Sequence, residues 1–337
     1  MKKLSIFFVI FLIFLTSCSA PTYESSNFFV MDTLAEVRVY GVDKNASNAL
    51  IVCKQVAESL EQKISATKEG SDTYAFNHSE ADAFSDEFIE LTRLSLDFSE
   101  LTDGYFDATS GRLIDLWKGC EEEGRFPTDA EKATALHALG YQKIQVDENT
   151  VKKASHELML DFGAIGKGYA ADKMEESLKE NGIECGMISF VSSVTVFGGR
   201  DFKIGIRRPD TSGELCGYVT LRDESLSVSG DYERFYEIDG ERYPHILNTK
   251  TGEPASSELH SVVVISDSGV AADALSTAIF VMGIERAAEL YQRDKLDFEF
   301  LCITGDKMVV SEGFAEHFEA KPDSYHLISL SEYISER

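Results

Sequence analysis

Apolar and polar residues alternate from Leu34 to Val39, with Ala35, Val37 and Val39 on one side and Glu36 and Arg38 on the other, the period of a half-buried strand. The period then lengthens. Ala49, Val52, Cys53, Val56, Ala57 and Leu60 recur at helical spacing and predict a long helix. Ser85, Asp86 and Glu87 offer a capping hydroxyl and two acids to a second helix whose buried face is Phe88, Leu91, Leu94, Ser95 and Phe98. Thr128 and Glu131 have the spacing of a capping box ahead of Ala135, Leu136 and Leu139, and Gly140 closes that short helix.

The second half of the chain is richer in strands. Residues 187–197, 202–206 and 218–221 read as extended. Residues 232–238 and 241–246 flank Asp239-Gly240, a dipeptide suited to a tight hairpin turn. Strands follow at 262–265, 298–303 and 308–310, with helices at 271–283 and 285–291. Helices and hairpins mix without strict βαβ alternation. The pattern predicts an α+β fold with a mixed, largely antiparallel sheet core flanked by helices, and argues against a doubly wound one.

The beginning of the chain is of another kind. Lys2 and Lys3 precede an apolar run from Leu4 to Leu15 that is short for a permanent span, so residues 1–17 read as an export signal. Leu15-Thr16-Ser17-Cys18 resembles a bacterial lipobox, which makes Cys18 the expected lipidated residue. Polar residues 18–27 are expected to form a tether, residues 28–325 the folded domain and residues 326–337 a tail. The expected location is the outward face of a bacterial cell membrane, held there by lipid.

The formal net charge is −26, and loss of Lys2 and Lys3 with the leader makes the chain still more acidic. Such a surface argues against nucleic acid as a partner, and means that an anionic dinucleotide needs a local lysine or divalent cation. Cys53, Cys120, Cys185, Cys216 and Cys302 show neither Cys-x-x-Cys nor paired histidine spacing, so zinc and iron–sulfur sites are not expected; mostly buried free thiols are, with a disulfide left open because spacing does not reveal it.

Three places carry candidate chemistry. Asp161 to Ala170 packs an acid, glycines at 163, 166 and 168, and Lys167 just ahead of a helix whose apolar period runs through Ala171, Met174 and Leu178 to a stop at Asn181-Gly182. Glycines there let backbone approach a ligand, and a helix N-terminus welcomes phosphate oxygens. The spacing is neither that of a dinucleotide fingerprint nor that of a P-loop, and a plain turn feeding a helix has the same local chemistry. Asp273, Ser276 and Thr277 fall on one face of the predicted helix at i, i+3 and i+4, three oxygens suited to a hard cation or, equally, to capping and back-bonding. His245, after the hairpin, is a candidate general base.

Read in order, five segments resemble the ApbE family, the FAD:protein FMN transferases. They are Met31 to Thr33, Gly104 to Trp117, Asp161 to Asp172, Ser229 to Tyr236 with His245-Ile246-Leu247, and Ala272 to Gly283. The resemblance spans roughly residues 28–320. It implies that the enzyme splits the FAD diphosphate, transfers FMN to a Thr or Ser hydroxyl of an acceptor redox protein, and releases AMP. It also implies that Met31, Tyr105, Phe106, Asp107, Asp161, Lys167 and Leu247 line the FAD site, with Thr67 joining them. The Ala164 carbonyl, Asp273 and Thr277 would hold Mg²⁺, with Ser276 where some members have a further ligand, and His245 would be the base.

Two segments depart from the family pattern. Ser189 to Val194 stands where the family has Asn-x-Gly-Gly-Asn/Asp, so that Ser192 and Ser193 replace glycines and strain is expected if a left-handed backbone is needed there. Asn248-Thr249 replaces Asp-Pro. An FAD pyrophosphatase releasing FMN and AMP, and a flavin-binding lipoprotein without turnover, are the alternative readings.

Overall fold

The computed structural model describes residues 22–41, 45–79, 83–210, 212–232, 234–238, 240–256, 258–293, 297–322 and 325–337. The expected export signal and Cys18 lie outside the described residues, as does Asp239. The chain opens on the hairpin β1 (Tyr23–Val30) and β2 (Thr33–Tyr40). It continues through α1 (Ala46–Ile64), α2 (Asp72–His78), α3 (Asp86–Leu101), α4 (Gly111–Glu122) and α5 (Asp129–Ala138). A short hairpin, β3 (Ile144–Val146) and β4 (Val151–Lys153), leads to α6 (Gly166–Glu180). Then come β5 (Gly186–Ser189), β6 (Ser193–Phe197), β7 (Phe202–Arg207), β8 (Leu215–Leu221), β9 (Ser225–Gly230), β10 (Phe235–Ile238), β11 (Glu241–Pro244) and β12 (Leu259–Ser266). After α7 (Gly269–Met282) and α8 (Ile284–Tyr291) the chain ends through β13 (Phe298–Thr304), β14 (Lys307–Val310), α9 (Glu312–His317), β15 (Phe318–Ala320), β16 (His326–Ser329) and α10 (Leu330–Ser335).

Among the described residues one sheet of nine strands runs in the order β1-β2-β5-β6-β9-β12-β13-β14-β16, antiparallel throughout except where β14 meets β16. The expected α+β fold is therefore observed. Alternation along the central strands divides two apolar layers. Val262 and Val264 of β12, with Phe300 and Cys302 of β13, join the core beneath α1, α3, α6 and α7. Val263, Ile265, Leu301 and Ile303 point the other way, onto the small sheet β15-β8-β7. Because strand side chains alternate between faces, each central strand seals both layers at once. Burial on this scale, at about 25 cal/mol per Å² of apolar surface, is the main stabilising term.

Helix α7 is buried on nearly every side, consistent with a run such as Ala278 to Val281 that has no polar side chain to hydrate. Its N-terminus is closed by Asp172 of α6, whose Oδ1 accepts from the Gly269 N–H at 2.7 Å and whose Oδ2 accepts from the Val270 N–H and the Ser268 hydroxyl, both at 3.1 Å. Burial raises the Asp172 carboxyl to about 6. The two helices touch at Gly168 and Gly269, where a Cβ on Gly168 would lie 2.0 Å from the Gly269 carbonyl oxygen.

The structure revises three expectations. The tether gives way to sheet before residue 28, since Tyr23 to Asn27 pair with Tyr40 to Glu36. The expected tail, 326–337, completes the opposite edge of the sheet as β16 and then packs α10 through Leu330 and Tyr333. The single extended run 187–197 is two antiparallel strands, β5 and β6, reversing at Phe190 to Ser192. The hairpin at Gly240 forms as expected, with Ile238 opposite Glu241, and the capping box at Thr128 and Glu131 is made in both directions. Among the described residues Cys53, Cys120, Cys185, Cys216 and Cys302 form no disulfide, and all but Cys185 are buried.

Candidate active site

The family-like segments are laced together largely by main-chain groups. Residues 108–110 run beside 159–161, with the Asp161 N–H on the Ala108 carbonyl at 2.8 Å and the Gly111 N–H on the Met159 carbonyl at 3.1 Å. The Thr249 hydroxyl donates to the Gly104 carbonyl at 2.6 Å, and the Lys250 ammonium to the Asp103 carbonyl at 2.6 Å. Trp117 Nε1 donates to the Gly252 carbonyl at 2.8 Å. Arg234 Nη2 donates to the Asp32 carbonyl at 3.2 Å, which joins the tip of the first hairpin to the His245 region. That tip is tight, with both Met31 and Asp32 at positive φ, and the Met31 N–H is held by Glu61 Oε1 at 2.7 Å.

His245 follows directly on β11. Its Nδ1 lies 2.8 Å from the carbonyl oxygen of Arg234. A carbonyl only accepts, so Nδ1 carries the proton and Nε2 keeps its lone pair, the tautomer a base requires. Burial lowers the His245 pKa, and the charges of Arg234 and Lys167 push the same way, against the upward pull of the Arg234 carbonyl. The imidazole therefore stays neutral below the usual histidine range.

The residue after Lys167 reaches the carboxylate. The Gly168 N–H donates to Asp273 Oδ2 at 2.6 Å. Gly168 is the third residue of α6, so its N–H is one that a helix start leaves without a carbonyl, and the Ala164 carbonyl, which lies before the helix, has no donor among the described residues. Asp273 itself is 3% exposed. Its Oδ1 accepts from Ser193 Oγ at 2.7 Å and from Ser227 Oγ at 2.6 Å. Thr277, one turn along α7, is half-buried with its hydroxyl 3.4 Å from Ser229 Oγ. Among the described residues no group of three or more His, Cys, Asp and Glu side chains could hold a metal ion. A cation here would take one carboxylate together with neutral oxygens, the donor set that suits Mg²⁺ carrying waters or phosphate oxygens. Asp273, the donor-free Ala164 carbonyl and the Thr277 hydroxyl fit that requirement.

The other expected residues divide into two groups. Met31 and Tyr105 are partly buried, and the Tyr105 ring has Arg286 and Lys250 at 5.4 and 5.5 Å from its centroid. Asp161 accepts from the Gly163 N–H at 2.7 Å, an Asx turn that shapes the glycine loop. Thr67 is exposed on the loop after α1, within 3.3 Å of Ser65 Oγ. By contrast, the side chains of Phe106 and Leu247 are committed to apolar clusters. The carboxylate of Asp107 is taken up by Thr109 and the Tyr141 N–H, and burial raises its pKa against those bonds. Any contact from Phe106 or Leu247 to a ligand runs mainly through backbone. Ser276 donates to the Asp273 carbonyl at 3.0 Å and lies 2.9 Å from Ser229 Oγ, so its hydroxyl belongs to the shell around Asp273.

Ser276 was expected near the metal, but the β9 serines of that shell were missed in the sequence. Ser225, Ser227 and Ser229 occupy alternate positions of β9, with Leu226 and Val228 between them packed into the opposite layer. The signal was the period-two serine run itself. In the departing segment, the left-handed residue is Val191, at φ 65° and 66% exposed, and Ser193 is regular strand. Asn248 accepts from the Lys250 N–H at 2.9 Å through its side chain, keeping the turn that an aspartate would make.

An imidazole held in its base tautomer and sensing the charge of a lysine, whose neighbouring N–H binds a buried carboxylate on α7, is equipment suited to a group-transferring enzyme. The chain belongs to the ApbE family, whose model matches residues 31–301. A FAD:protein FMN transferase of Salmonella typhimurium is 28% identical over 83% of this chain and 85% of the relative. One from Klebsiella pneumoniae is 30% identical over 72% and 77%. Among solved structures, the ApbE protein of Thermotoga maritima superposes with a TM-score of 0.78 at 28% identity, covering 89% of this chain and 97% of that one. The flavinyl transferase ApbE of Pseudomonas stutzeri gives 0.76 at 27% identity, covering 91% and 100%.

Proposed function

We propose that this chain is a Mg²⁺-dependent transferase that moves FMN from FAD to a Thr or Ser hydroxyl of an acceptor redox protein and releases AMP. The observation that carries this reading is the Lys167-Gly168 dipeptide. Its lysine presses on the His245 pKa while the next N–H holds Asp273. A candidate base and a candidate metal ligand are thereby joined across two residues.

In the proposed step, the acceptor hydroxyl oxygen bonds to the phosphorus on the FMN side of the diphosphate, the bond to the AMP oxygen breaks, and the hydroxyl proton passes to Nε2 of His245. A positioned base of this kind contributes about 10² to 10⁴ in rate. When bound by Asp273, Thr277 and the Ala164 carbonyl, Mg²⁺ would supply neutralisation of charge on the diphosphate. Lys167 forms no ion pair among the described residues, so its ammonium is free to face phosphate oxygens. Tyr105, Met31, Asp161 and Thr67 are the side chains proposed to border FAD.

The leader composition and Cys18 support a lipid anchor that holds the catalytic body, from β1 to α10, on the outward face of a bacterial membrane. The reading is tested by following AMP with FAD and Mg²⁺, with and without an acceptor. A transferase makes AMP in proportion to acceptor. FMN and AMP formed equally fast without acceptor would make the chain a pyrophosphatase, and no AMP in either case would make it a flavin-binding lipoprotein.

A further inference from the structure

The two oxygens of Asp273 are not equally occupied. Among the described residues Oδ1 accepts two hydroxyls, Ser193 at 2.7 Å and Ser227 at 2.6 Å, whereas Oδ2 accepts only the Gly168 N–H at 2.6 Å. A carboxylate oxygen offers about two lone-pair directions. Oδ1 is therefore full, and Oδ2 retains one direction. The serines are register partners across β6 and β9, both buried, with Val194, Leu226 and Val228 packed on the other face of the strands. The sheet fixes both hydroxyls under α7, where both residues are almost wholly shielded from solvent.

We infer that Ser193 and Ser227 restrict Asp273 to binding a cation through Oδ2 alone, and so set a preference for Mg²⁺ over Ca²⁺. This rests on the proposed metal role of Asp273. Ca²⁺ accepts about six to eight oxygens and readily takes a carboxylate through both, while Mg²⁺ keeps octahedral geometry with one oxygen from each ligand. To engage Oδ1 as well, a cation must strip two buried donors of their acceptor, at the cost of leaving them unsatisfied. Mg²⁺ has no need to.

The test is calorimetric titration of Mg²⁺ and of Ca²⁺, separately, into the full chain with FAD and no acceptor. With Ser193→Ala and Ser227→Ala combined, Oδ1 is released, and the ratio of Mg²⁺ to Ca²⁺ affinity is expected to narrow by about tenfold or more, the weight of a hydrogen bond to a charged group. Ser193→Thr retains the hydroxyl and is expected to keep the ratio. Asp273→Asn reports on the underlying reading, because it should remove the binding of both ions. If Asp273→Asn binds both ions like the parent, the metal role fails and the inference with it. If Asp273→Asn loses both while the folded double variant keeps the parental ratio, or loses affinity for both ions equally, Asp273 is a ligand but the serines do not set its selectivity. Should the double variant not fold, Ser227→Ala alone carries the test, with a smaller narrowing expected and an unchanged ratio overturning the inference.

Discussion

The backbone N–H of Gly168 sits 2.6 Å from Oδ2 of Asp273, although the two residues are 105 positions apart. That bond requires α6 to approach α7 with no side chain between them, and a Cβ at Gly168 would lie 2.0 Å from the Gly269 carbonyl oxygen. Gly168→Ala should therefore separate the helices and loosen the carboxylate together. Overpacking against a fixed backbone costs about 1–3 kcal/mol, and the upper end is expected here. Urea denaturation of the variant checks this, and unchanged stability would mean that the two helices are not packed at this point.

His245→Ala should lower transfer by about 10² to 10⁴ while FAD affinity stays near that of the parent. Because burial and the neighbouring positive charges lower the His245 pKa, the acid limb of kcat/KM should fall below pH 6.5, the ordinary histidine value. Lys167→Ala should move that limb upward. The same depression has a sign in stability: His245 contributes fully above pH 6.5, and the contribution is lost as pH falls through the lowered folded value. A pH–rate profile of the parent and of Lys167→Ala decides, and identical limbs in the two would remove the lysine from the neighbourhood of the base.

Asp172 behaves oppositely. Its folded pKa is raised by burial from the ordinary 3.8 to about 6, so its contribution to stability is present below 3.8 and is lost as pH rises through about 6. The stability difference between the parent and Asp172→Asn should then shift in favour of the variant from pH 4 to pH 7. Paired thermal melts across that range measure it, and a pH-independent difference would contradict the assignment.

Val191 is a β-branched residue held at φ 65° on the turn between β5 and β6. Such a backbone costs about 1–3 kcal/mol for a non-glycine residue, part of which glycine returns through its freer unfolded chain. Val191→Gly is expected to stabilise by about 1 kcal/mol, read as a higher urea midpoint at unchanged slope.

Much of the scaffold was legible because its signals are local. The capping box at Thr128, the Gly240 turn and the helical faces of α1 and α3 each follow from residues a few positions apart. The placement of Asp273 and Thr277 one turn apart on the same helix was legible for the same reason. The serines around Asp273 were not, because β9 carries polar side chains on the face that usually seals a core, and the acceptor that justifies them lies on a different element. Arg234 and Thr249 act on carbonyl oxygens, which every residue has and no sequence pattern marks. Phe106 and Leu247 show the converse: apolar residues inside a recognisable motif whose side chains serve the core.

The most direct measurement is the intact mass of a co-incubated acceptor redox protein after exposure to the chain, FAD and Mg²⁺, followed by fragmentation to locate the modified residue. A gain of one FMN less one water on a single Thr or Ser is predicted, with none when His245→Ala replaces the parent. An acceptor left unmodified, while FAD is bound and AMP accumulates, would contradict protein flavinylation as the activity of this site.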